Sequence, residues 1–449
     1  MENKFIKSNY VVDVPVECGA RRYMSTLLLS IVELDVYHVE LVEHCHEKTD
    51  LSDPDVETLH QLCDLGIVRL QSNDDFSLAW RRIEEWRSYK FLSVAFCLTF
   101  DCNFRCVYCY ERPNLRDRKF TQAMSSEMAI SILAWMNNVM QMRDIDSSRI
   151  TFFGGEPLLR YPVIKEVLKH INSLTQAQSP ELYMSTNGYL LSTDKVETMK
   201  ASGLQRLQVT LDGPAEVHDR RRPLVSGQGT FAIIVNNLVE CLRKGIGVDL
   251  LTVCDNENIS DLLPLVDIML RHLPEAELRN NIQWSFTLVE PTENCVNRSA
   301  NLLFGKERNL AQDIHKAREY ALDAGFNVIF PYSSNICARQ LDYTFGIGPQ
   351  GDIYPCFGIY GNNDYSIGNI SDPFDTVENK SKQWARRDCF DDACISCQVF
   401  PLCRGARCQH MIAQINGGAF AQKYCEQEML LEDIKRSLTS KLASNLCGK

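Results

Sequence analysis

Three closely spaced cysteines form the first candidate site of the chain. Cys102, Cys106 and Cys109 follow a Cys-x3-Cys-x2-Cys pattern. Three thiolates from one loop can hold three irons of a 4Fe–4S cluster and leave the fourth iron open for a ligand. A zinc knuckle is the alternative, but a structural zinc takes four ligands and no histidine lies within ten residues of this loop. The pattern therefore favours a catalytic iron–sulfur cluster.

A second group of cysteines lies in the last third of the chain. Its members are Cys337, Cys356, Cys389, Cys394, Cys397, Cys403, Cys408 and Cys425. The chain has 19 cysteines and no visible signal peptide, and dense cysteines in a reducing compartment are typical of metal ligands rather than of disulfides. Cys-x2-Cys pairs also bind zinc, so one or two zinc sites remain the alternative here.

Charge and composition exclude other classes of protein. The net charge is −11 and the pI is about 5.4, which argues against broad nucleic-acid binding. No run approaches the roughly 18 apolar residues of a membrane span. We therefore expect a cytoplasmic protein with no nucleic-acid and no membrane partner.

The arrangement of elements predicts what positions the cysteines. Residues 1–88 are predicted to form a winged-helix-like α+β module, with strands at 10–16 and 23–32, helices at 36–47 and 53–65, and a returning strand at 66–70. From residue 89 to 330 apolar runs and helical patterns alternate, with strands expected at 92–100, 150–153, 182–185, 207–211, 248–253 and 282–289. Six such units predict a partial (βα)6 parallel barrel, whose active site lies at the carboxyl ends of the strands. Residues 331–430 read as a cysteine-rich, metal-ordered domain and residues 431–449 as a C-terminal helix or tail.

The first cysteine motif resembles the signature of the radical S-adenosylmethionine (SAM) superfamily, including the aromatic Tyr108 before the last cysteine. Further family motifs follow the next predicted strands, and that resemblance makes Cys102, Cys106 and Cys109 the catalytic cluster ligands. It implies that Glu156, in a Gly-Gly-Glu-Pro motif, contacts the SAM amino group and that Arg222 pairs with the SAM carboxylate. The residues it assigns to cofactor binding are Tyr108, Gly154, Gly155, Glu156, Pro157, Ser185, Asn187, Asp212 and Arg222. The implied reaction is reductive cleavage of SAM to a 5′-deoxyadenosyl radical.

The second cysteine group resembles the SPASM domain, an extension that holds two auxiliary 4Fe–4S clusters. The resemblance assigns Cys394, Cys397, Cys403 and Cys425 to one cluster. It assigns Cys337, Cys356 and Cys408 to the other, which leaves one iron either open or ligated by Cys295 or Cys389. Four residues separate Cys403 from Cys408 where the family usually has three.

Together the three parts of the chain resemble SPASM-type maturases of ribosomally made, post-translationally modified peptides (RiPPs). This resemblance implies that residues 1–88 bind the leader of a precursor peptide by strand addition. It also implies a flavodoxin- or ferredoxin-type electron donor. We expect a peptide modification such as a thioether crosslink, which an open auxiliary iron would favour by binding a peptide thiolate. The alternatives are a sulfatase-maturase-like, formylglycine-forming enzyme, a peptide epimerase or a carbon–carbon crosslinking maturase.

Overall fold

A computed structural model of the chain describes residues 4–48, 50–109, 123–174, 179–289, 310–329, 337, 340–356, 359–361, 363–386, 390–404, 425 and 427–439. Within these residues the chain forms two compact units. One contains Met1–Arg87, Phe330–Cys337 and Arg387–Lys449, and the other contains Ser88–Ile329 and Ala338–Arg386. None of the helices in the described ranges is both long and apolar enough to cross a membrane.

The N-terminal segment combines short strands with three helices. The elements are β1 (Phe5–Lys7), β2 (Val11–Pro15), β3 (Arg21–Ser25), β4 (Ile31–Leu34), α1 (Val36–His44), α2 (Asp53–Asp64), β5 (Val68–Leu70) and α3 (Asp75–Arg87). Strands β2, β3 and β4 form an antiparallel sheet, and β1 pairs with β5. Helix α2 begins in a capping box in which the Ser52 side chain accepts a hydrogen bond from the Asp55 amide and the Asp55 carboxylate accepts one from the Ser52 amide. The two helices expected at 36–47 and 53–65 are confirmed.

One strand expectation in this segment is wrong. The sequence predicts one strand over 23–32, whereas the chain reverses there and forms the β3–β4 hairpin. The turn is closed by the Ser25 amide, which donates to the Ser30 carbonyl, and Leu29 adopts a φ of 59°. Leucine seldom adopts this left-handed conformation, and glycine or asparagine is the usual residue there. Because a leucine stands at this position, the sequence does not mark the turn.

The second unit is built on a ten-stranded, mostly parallel sheet. In chain order its elements are β6 (Leu92–Cys97), α4 (Ser126–Arg143), β7 (Ser148–Phe153), α5 (Tyr161–Leu174), β8 (Glu181–Ser185), α6 (Thr193–Ala201), β9 (Leu204–Thr210), α7 (Ala215–Arg221), α8 (Phe231–Arg243), β10 (Gly247–Cys254), α9 (Leu262–His272), α10 (Ala276–Asn280), β11 (Ile282–Leu288), α11 (Leu310–Asp323), β12 (Asn327–Ile329), β13 (Thr344–Ile347), β14 (Asp352–Tyr354), β15 (Gly368–Asn369) and α12 (Phe374–Ala385). Strands β6 to β11 lie side by side in chain order and each neighbouring pair is parallel. The six predicted strands are therefore confirmed.

The sheet continues beyond the six predicted strands on both sides. Strand β12 adds in parallel to β11, and β13 adds in parallel to β6, followed by the antiparallel β14 and β15. Side chains of the central strands such as Val94, Phe96 and Phe152 are fully buried, because helices cover a parallel sheet on its faces. The carboxyl ends of β6 to β11 consequently meet along one edge.

The C-terminal segment packs on the N-terminal sheet. Its helices are α13 (Asp392–Ile395), α14 (Phe400–Cys403) and α15 (Gln427–Thr439). One apolar cluster joins the two segments, and its buried members are Val12, Val14, Met24, Val399, Leu402, Cys403, Leu430, Ile434 and Leu438. Hydrogen bonds add to it: the Tyr10 hydroxyl donates to the Ile395 carbonyl at 2.7 Å, and the Gln398 side-chain amide donates to the Val11 carbonyl at 2.7 Å. The sequence-based boundaries treat these segments separately, whereas their described residues share this core.

We expect Ile434→Ala to loosen the N-terminal sheet although the two are far apart in sequence. Ile434 is fully buried in the shared cluster, and such a truncation costs about 2–5 kcal/mol. Amides of β2 should therefore exchange faster with deuterium, as measured by hydrogen exchange and mass spectrometry. Met429→Ala, at an exposed position of the same helix, is the control and should leave β2 unchanged. Equal exchange of β2 in both variants would contradict a shared core.

Candidate active site

A cavity of about 440 Å³ lies at the carboxyl ends of the parallel strands. It is lined by residues from the loop after β6, the loops after β7 and β8, and the ends of β9, β10 and β11. Of the sequence-predicted site residues, those that line it are Cys102, Cys106, Tyr108, Cys109, Gly154, Gly155, Ser185, Asn187 and Arg222. Its apolar lining includes Phe153, Leu251, Val253, Leu288 and Val289. Glu156, Pro157 and Asp212 are buried outside this lining.

The cysteine loop is tied by its backbone to the segment that follows α7. The Arg105 amide donates to the Pro223 carbonyl at 2.8 Å, and the Val107 amide donates to the Arg221 carbonyl at 3.0 Å. The Phe104 amide donates to the Cys102 sulfur at 3.3 Å. Burial raises the pKa of the Cys102 thiol to about 12, while the positive charge of Arg222 acts in the opposite direction. A thiolate at this loop therefore requires positive charge nearby, and both Arg222 and bound iron would supply it.

The three thiols of this loop are of the residue type that holds an iron–sulfur cluster. In the described part of the chain, no three His, Cys, Asp or Glu side chains converge closely enough to surround a single metal ion. An iron–sulfur cluster takes one cysteine per iron, so its ligands do not have to converge on one point. All three cysteines nevertheless line the same cavity.

The two glycines after β7 allow a close approach to the cysteine loop. The Gly155 amide donates to the Thr99 carbonyl at 2.9 Å, and the next amide, of Glu156, donates to the Asp101 carbonyl at 3.0 Å. A Cβ atom on Gly155 would lie 2.5 Å from the Asp101 carbonyl oxygen, which is too close for any other residue. The Gly-Gly pair therefore docks the second loop against the residues that immediately precede Cys102.

The carboxylate of Glu156 is not part of the cavity lining and supports the neighbouring loop. It is fully buried and accepts hydrogen bonds from the Leu158 amide at 3.0 Å, the Thr186 hydroxyl at 2.8 Å and the Asn187 amide at 2.8 Å. Burial raises the pKa of Glu156, whereas these three donors favour its ionised form. Pro157 starts the short 3-10 turn Pro157–Arg160 directly behind it.

Asn187 connects that supported loop to the first cysteine. Its side-chain oxygen accepts a hydrogen bond from the Tyr189 amide at 3.0 Å. Its side-chain nitrogen donates to the Asn103 side-chain oxygen at 2.8 Å and lies 3.9 Å from the Cys102 sulfur. Ser185, on the same loop, donates to the side chain of Gln208 at 3.1 Å.

The structure separates the three adjacent arginines that the sequence presents as a run. Arg220 is exposed. Arg221 is fully buried, and its guanidinium donates to both carboxylate oxygens of Asp255 at 2.9 Å. Arg222 lines the cavity. Only the last of the three is placed to hold a ligand in the cavity.

Tyr108 holds Arg222 from the cysteine loop. The Arg222 Nη1 donates to the Tyr108 hydroxyl at 2.6 Å, and that hydroxyl donates to Asp212 Oδ2 at 2.5 Å. Burial raises the pKa of Tyr108, so the hydroxyl keeps its proton. The Nε of Arg222 is buried and has no hydrogen-bond partner among the described residues. The Arg222 side chain as a whole lines the cavity, where its positive charge can pair with an anionic ligand such as a carboxylate.

Sequence reasoning missed residues that support the cavity from behind. Asp255 binds Arg221, and Asn258 donates from its side chain to the carbonyls of Asp212 at 2.7 Å and Val253 at 2.8 Å. Both residues follow β10 directly, and polar residues at the carboxyl end of a parallel strand are the signal that would have found them.

The remaining predicted metal ligands lie in both units. Cys356 belongs to the unit of the large sheet, and Cys337, Cys394, Cys397, Cys403 and Cys425 belong to the other. Asp391 caps α13 by accepting from the Cys394 amide, and the Cys397 amide donates to the Cys394 carbonyl at 3.0 Å. Cys403 is buried on the next helical turn, while Cys337 and Cys425 are exposed. Cys408 and the alternatives Cys295 and Cys389 lie outside the described residues.

Comparison with known proteins matches this site to one superfamily. Residues 96–269 match the Radical SAM superfamily. The chain is 27% identical over 176 residues to Fe-coproporphyrin III synthase of Methanosarcina barkeri, a match that covers 39% of this chain and 40% of that protein. The chain thus aligns with less than half of the length of this curated relative.

Solved structures of low identity share the fold. The native anSMEcpe structure with bound AdoMet superposes with a TM-score of 0.62 at 16% identity and covers 80% of this chain and 100% of that one. The same protein with AdoMet and the Cp18Cys peptide gives 0.58 at 18% identity, covering 79% and 99%. Streptococcus suis SuiB bound to its precursor peptide SuiA gives 0.53 at 14% identity, covering 94% and 100%.

We expect Tyr108→Phe to weaken the binding of SAM by about tenfold or more. The change removes the hydroxyl that holds Arg222 against Asp212, and a hydrogen bond to a charged group contributes about 1.5–3 kcal/mol. SAM affinity of the reconstituted protein, measured by isothermal titration under anaerobic conditions, checks this. Tyr320→Phe is the matched control, because it removes a tyrosine–aspartate hydrogen bond of 2.6 Å at an exposed position. Equal affinities in the two variants would contradict a role for Tyr108 in holding Arg222.

Proposed function

We propose that this chain, whose residues 96–269 form a radical SAM domain, is an enzyme that cleaves SAM and modifies a ribosomally made precursor peptide. The observation that carries the proposal is the single cavity at the strand ends. It is lined by Cys102, Cys106 and Cys109 together with the guanidinium of Arg222. These residues fit a 4Fe–4S cluster with an open iron and the amino-acid portion of SAM.

The residues of the cavity have separable tasks in this proposal. The bound cluster and SAM supply the chemistry, a one-electron reduction that generates a 5′-deoxyadenosyl radical. Arg222 binds the SAM carboxylate and is held by Tyr108. Glu156 keeps the loop of Thr186 and Asn187 in place. The apolar side chains at the ends of β10 and β11 exclude water from the site where the radical is generated.

The N-terminal segment offers a binding place for an extended peptide. Strand β4 pairs with β3 on one side, and a groove of about 560 Å³ lies between β4 and α2. The groove is lined by Val32 and Leu34 of the strand and by Thr58, Gln61 and Leu65 on the helix side. An edge strand presents backbone amides and carbonyls to which a peptide can add as a further strand. We propose that the leader of the precursor peptide binds here.

The nature of the neighbours supports a peptide substrate. SuiB is described with a bound precursor peptide and anSMEcpe with a bound peptide, and both share the fold of this chain. The proposal includes auxiliary 4Fe–4S clusters on the second cysteine group, one of them on Cys394, Cys397, Cys403 and Cys425. It also includes a thioether crosslink as the product, with a flavodoxin- or ferredoxin-type protein as the electron donor.

Iron content tests the cluster assignment. Anaerobic reconstitution of the native chain should give about twelve irons, and a Cys102→Ala, Cys106→Ala, Cys109→Ala variant should give about eight. The difference arises because the variant loses one cluster of four irons and retains the auxiliary clusters. About four irons with zinc present in the native protein would remove the auxiliary clusters from the proposal. No iron after reconstitution would overturn the proposed function.

The peptide chemistry is tested with the cysteine-containing peptide that a neighbouring gene encodes. Incubated with enzyme, SAM and reductant, it should become lighter by two hydrogens, because a thioether replaces one S–H and one C–H bond. Mass spectrometry distinguishes this from unchanged mass with deuterium taken up from solvent, which would indicate epimerisation.

Gln61→Trp tests the groove in a binding assay with the same peptide. Gln61 is exposed and lines the groove, so an indole there should obstruct it without disturbing the core. Affinity for the fluorescently labelled peptide should fall at least tenfold while SAM cleavage without peptide is retained. Gln71→Trp, at an exposed position outside the groove, is the control. Unchanged affinity of the Gln61 variant would place the leader elsewhere.

A further inference from the structure

We infer that Asn187 donates a hydrogen bond to the Cys102 thiolate and thereby raises the reduction potential of the cluster at Cys102, Cys106 and Cys109. This inference rests on the cluster of the proposed function, but not on the identity of the peptide. It assigns Asn187 a positioning and tuning role toward the iron–sulfur cluster. The argument starts from the orientation of one side-chain amide.

The orientation of the Asn187 side chain is fixed by its neighbours. Its Oδ1 accepts a hydrogen bond from the Tyr189 amide at 3.0 Å, and a backbone amide can only donate. The Nδ2 must therefore be the atom that faces the cysteine loop. It carries two hydrogens, of which one is directed to Asn103 Oδ1 at 2.8 Å. The Nδ2 also lies 3.9 Å from the Cys102 sulfur, which is within reach of a hydrogen bond to the large sulfur atom.

The backbone that carries this side chain is equally constrained. The Asn187 amide donates to Glu156 at 2.8 Å, and the preceding Thr186 hydroxyl donates to the same carboxylate at 2.8 Å. Glu156 is fully buried, and Asn187 itself is only 6% exposed. A buried carboxylate that loses a donor is costly, so the loop is held firmly in this position. Asn187 therefore approaches Cys102 as part of a fixed loop.

A hydrogen bond at a cluster sulfur has a defined electronic effect. Reduction adds negative charge to the cluster, and a donor at a ligand sulfur stabilises that charge. The Cys102 sulfur also accepts a hydrogen bond from the Phe104 backbone amide at 3.3 Å. A side-chain substitution cannot remove this backbone donor. Asn187 is a side-chain donor to Cys102 that substitution can remove, and its removal should make the cluster harder to reduce.

The reduction potential of the reconstituted full-length protein tests the inference. We would measure the cluster by EPR-monitored redox titration in the native protein, Asn187→Ala and Asn187→Asp, without SAM or peptide. In both variants the reduction potential should become more negative by at least 59 mV. For one electron this is a tenfold decrease in the equilibrium constant of reduction. The aspartate should shift further, because its charge repels the reduced cluster. Subtracting the spectrum of the Cys102, Cys106 and Cys109 triple variant isolates the signal of this cluster.

Asn237→Asp is the matched control. The Asn237 side chain donates to the carbonyls of Gly188 at 2.9 Å and Tyr189 at 3.2 Å, so it supports the same loop from outside the cavity. The potential of the Asn237→Asp cluster should shift less than that of Asn187→Asp, because this change weakens the support of the loop and adds a negative charge without removing a donor to Cys102. If Asn187→Ala or Asn187→Asp binds no iron, Asn187→Ser is measured in its place. The serine side chain is too short for its hydroxyl to reach Cys102.

The outcomes separate this inference from the proposed function. An unchanged or more positive potential in a loaded Asn187 variant would overturn the inference alone, as would an equal shift in the Asn237 control. A native protein without iron would overturn both proposals. A peptide that is not modified would count against the proposed substrate and leave the measured potentials as they are.

Discussion

The buried ion pair between Arg221 and Asp255 organises the active-site end of the sheet. It joins the last residue of α7 to the residue that follows β10, and both side chains are almost fully inaccessible to solvent. Burying two charges is expensive, and the bidentate geometry with two oxygens at 2.9 Å offsets that cost. The Arg221 carbonyl in turn accepts a hydrogen bond from the Val107 amide of the cysteine loop. One pair of opposite charges thus fixes the position of the loop that carries the three motif cysteines.

Around this pair the motif residues divide into two groups. Some face the cavity, such as Cys102 and Arg222, while others lie behind its wall, such as Glu156 and Asp212. Residues of the second group bind neighbouring loops: Glu156 holds Thr186 and Asn187, and Asp212 holds Tyr108. Besides Asp255, the Arg221 guanidinium lies 3.5 Å from a carboxylate oxygen of Asp212 and 3.5 Å from one of Glu257. The surface that lines the cavity therefore depends on buried side chains outside that lining.

The sequence predicted those parts of the fold that depend on local pattern. The six parallel strands were recognisable because continuous apolar runs such as that of β6 alternate with helical periodicity. The β3–β4 turn was missed because Leu29 carries no turn signal, and α3 was not anticipated. The choice of Arg222 over its neighbours required the structure, because burial of Arg221 depends on Asp255, 34 positions away. The shared core of Val12 and Ile434 depends on contacts across most of the chain, which no local pattern encodes.

The packing of α15 on β2 has a consequence for biosynthesis. Strand β2 ends at Pro15 and α15 begins at Gln427. The apolar face of β2 therefore leaves the ribosome long before α15, which packs on it. At 5–20 residues per second this interval lasts roughly 20 to 80 s. During that time the strands of the large sheet are completed, while the earliest sheet still exposes Val12 and Val14. The sheet of β2, β3 and β4 is therefore translated before the large sheet, but it reaches its native packing only after α15 has been made.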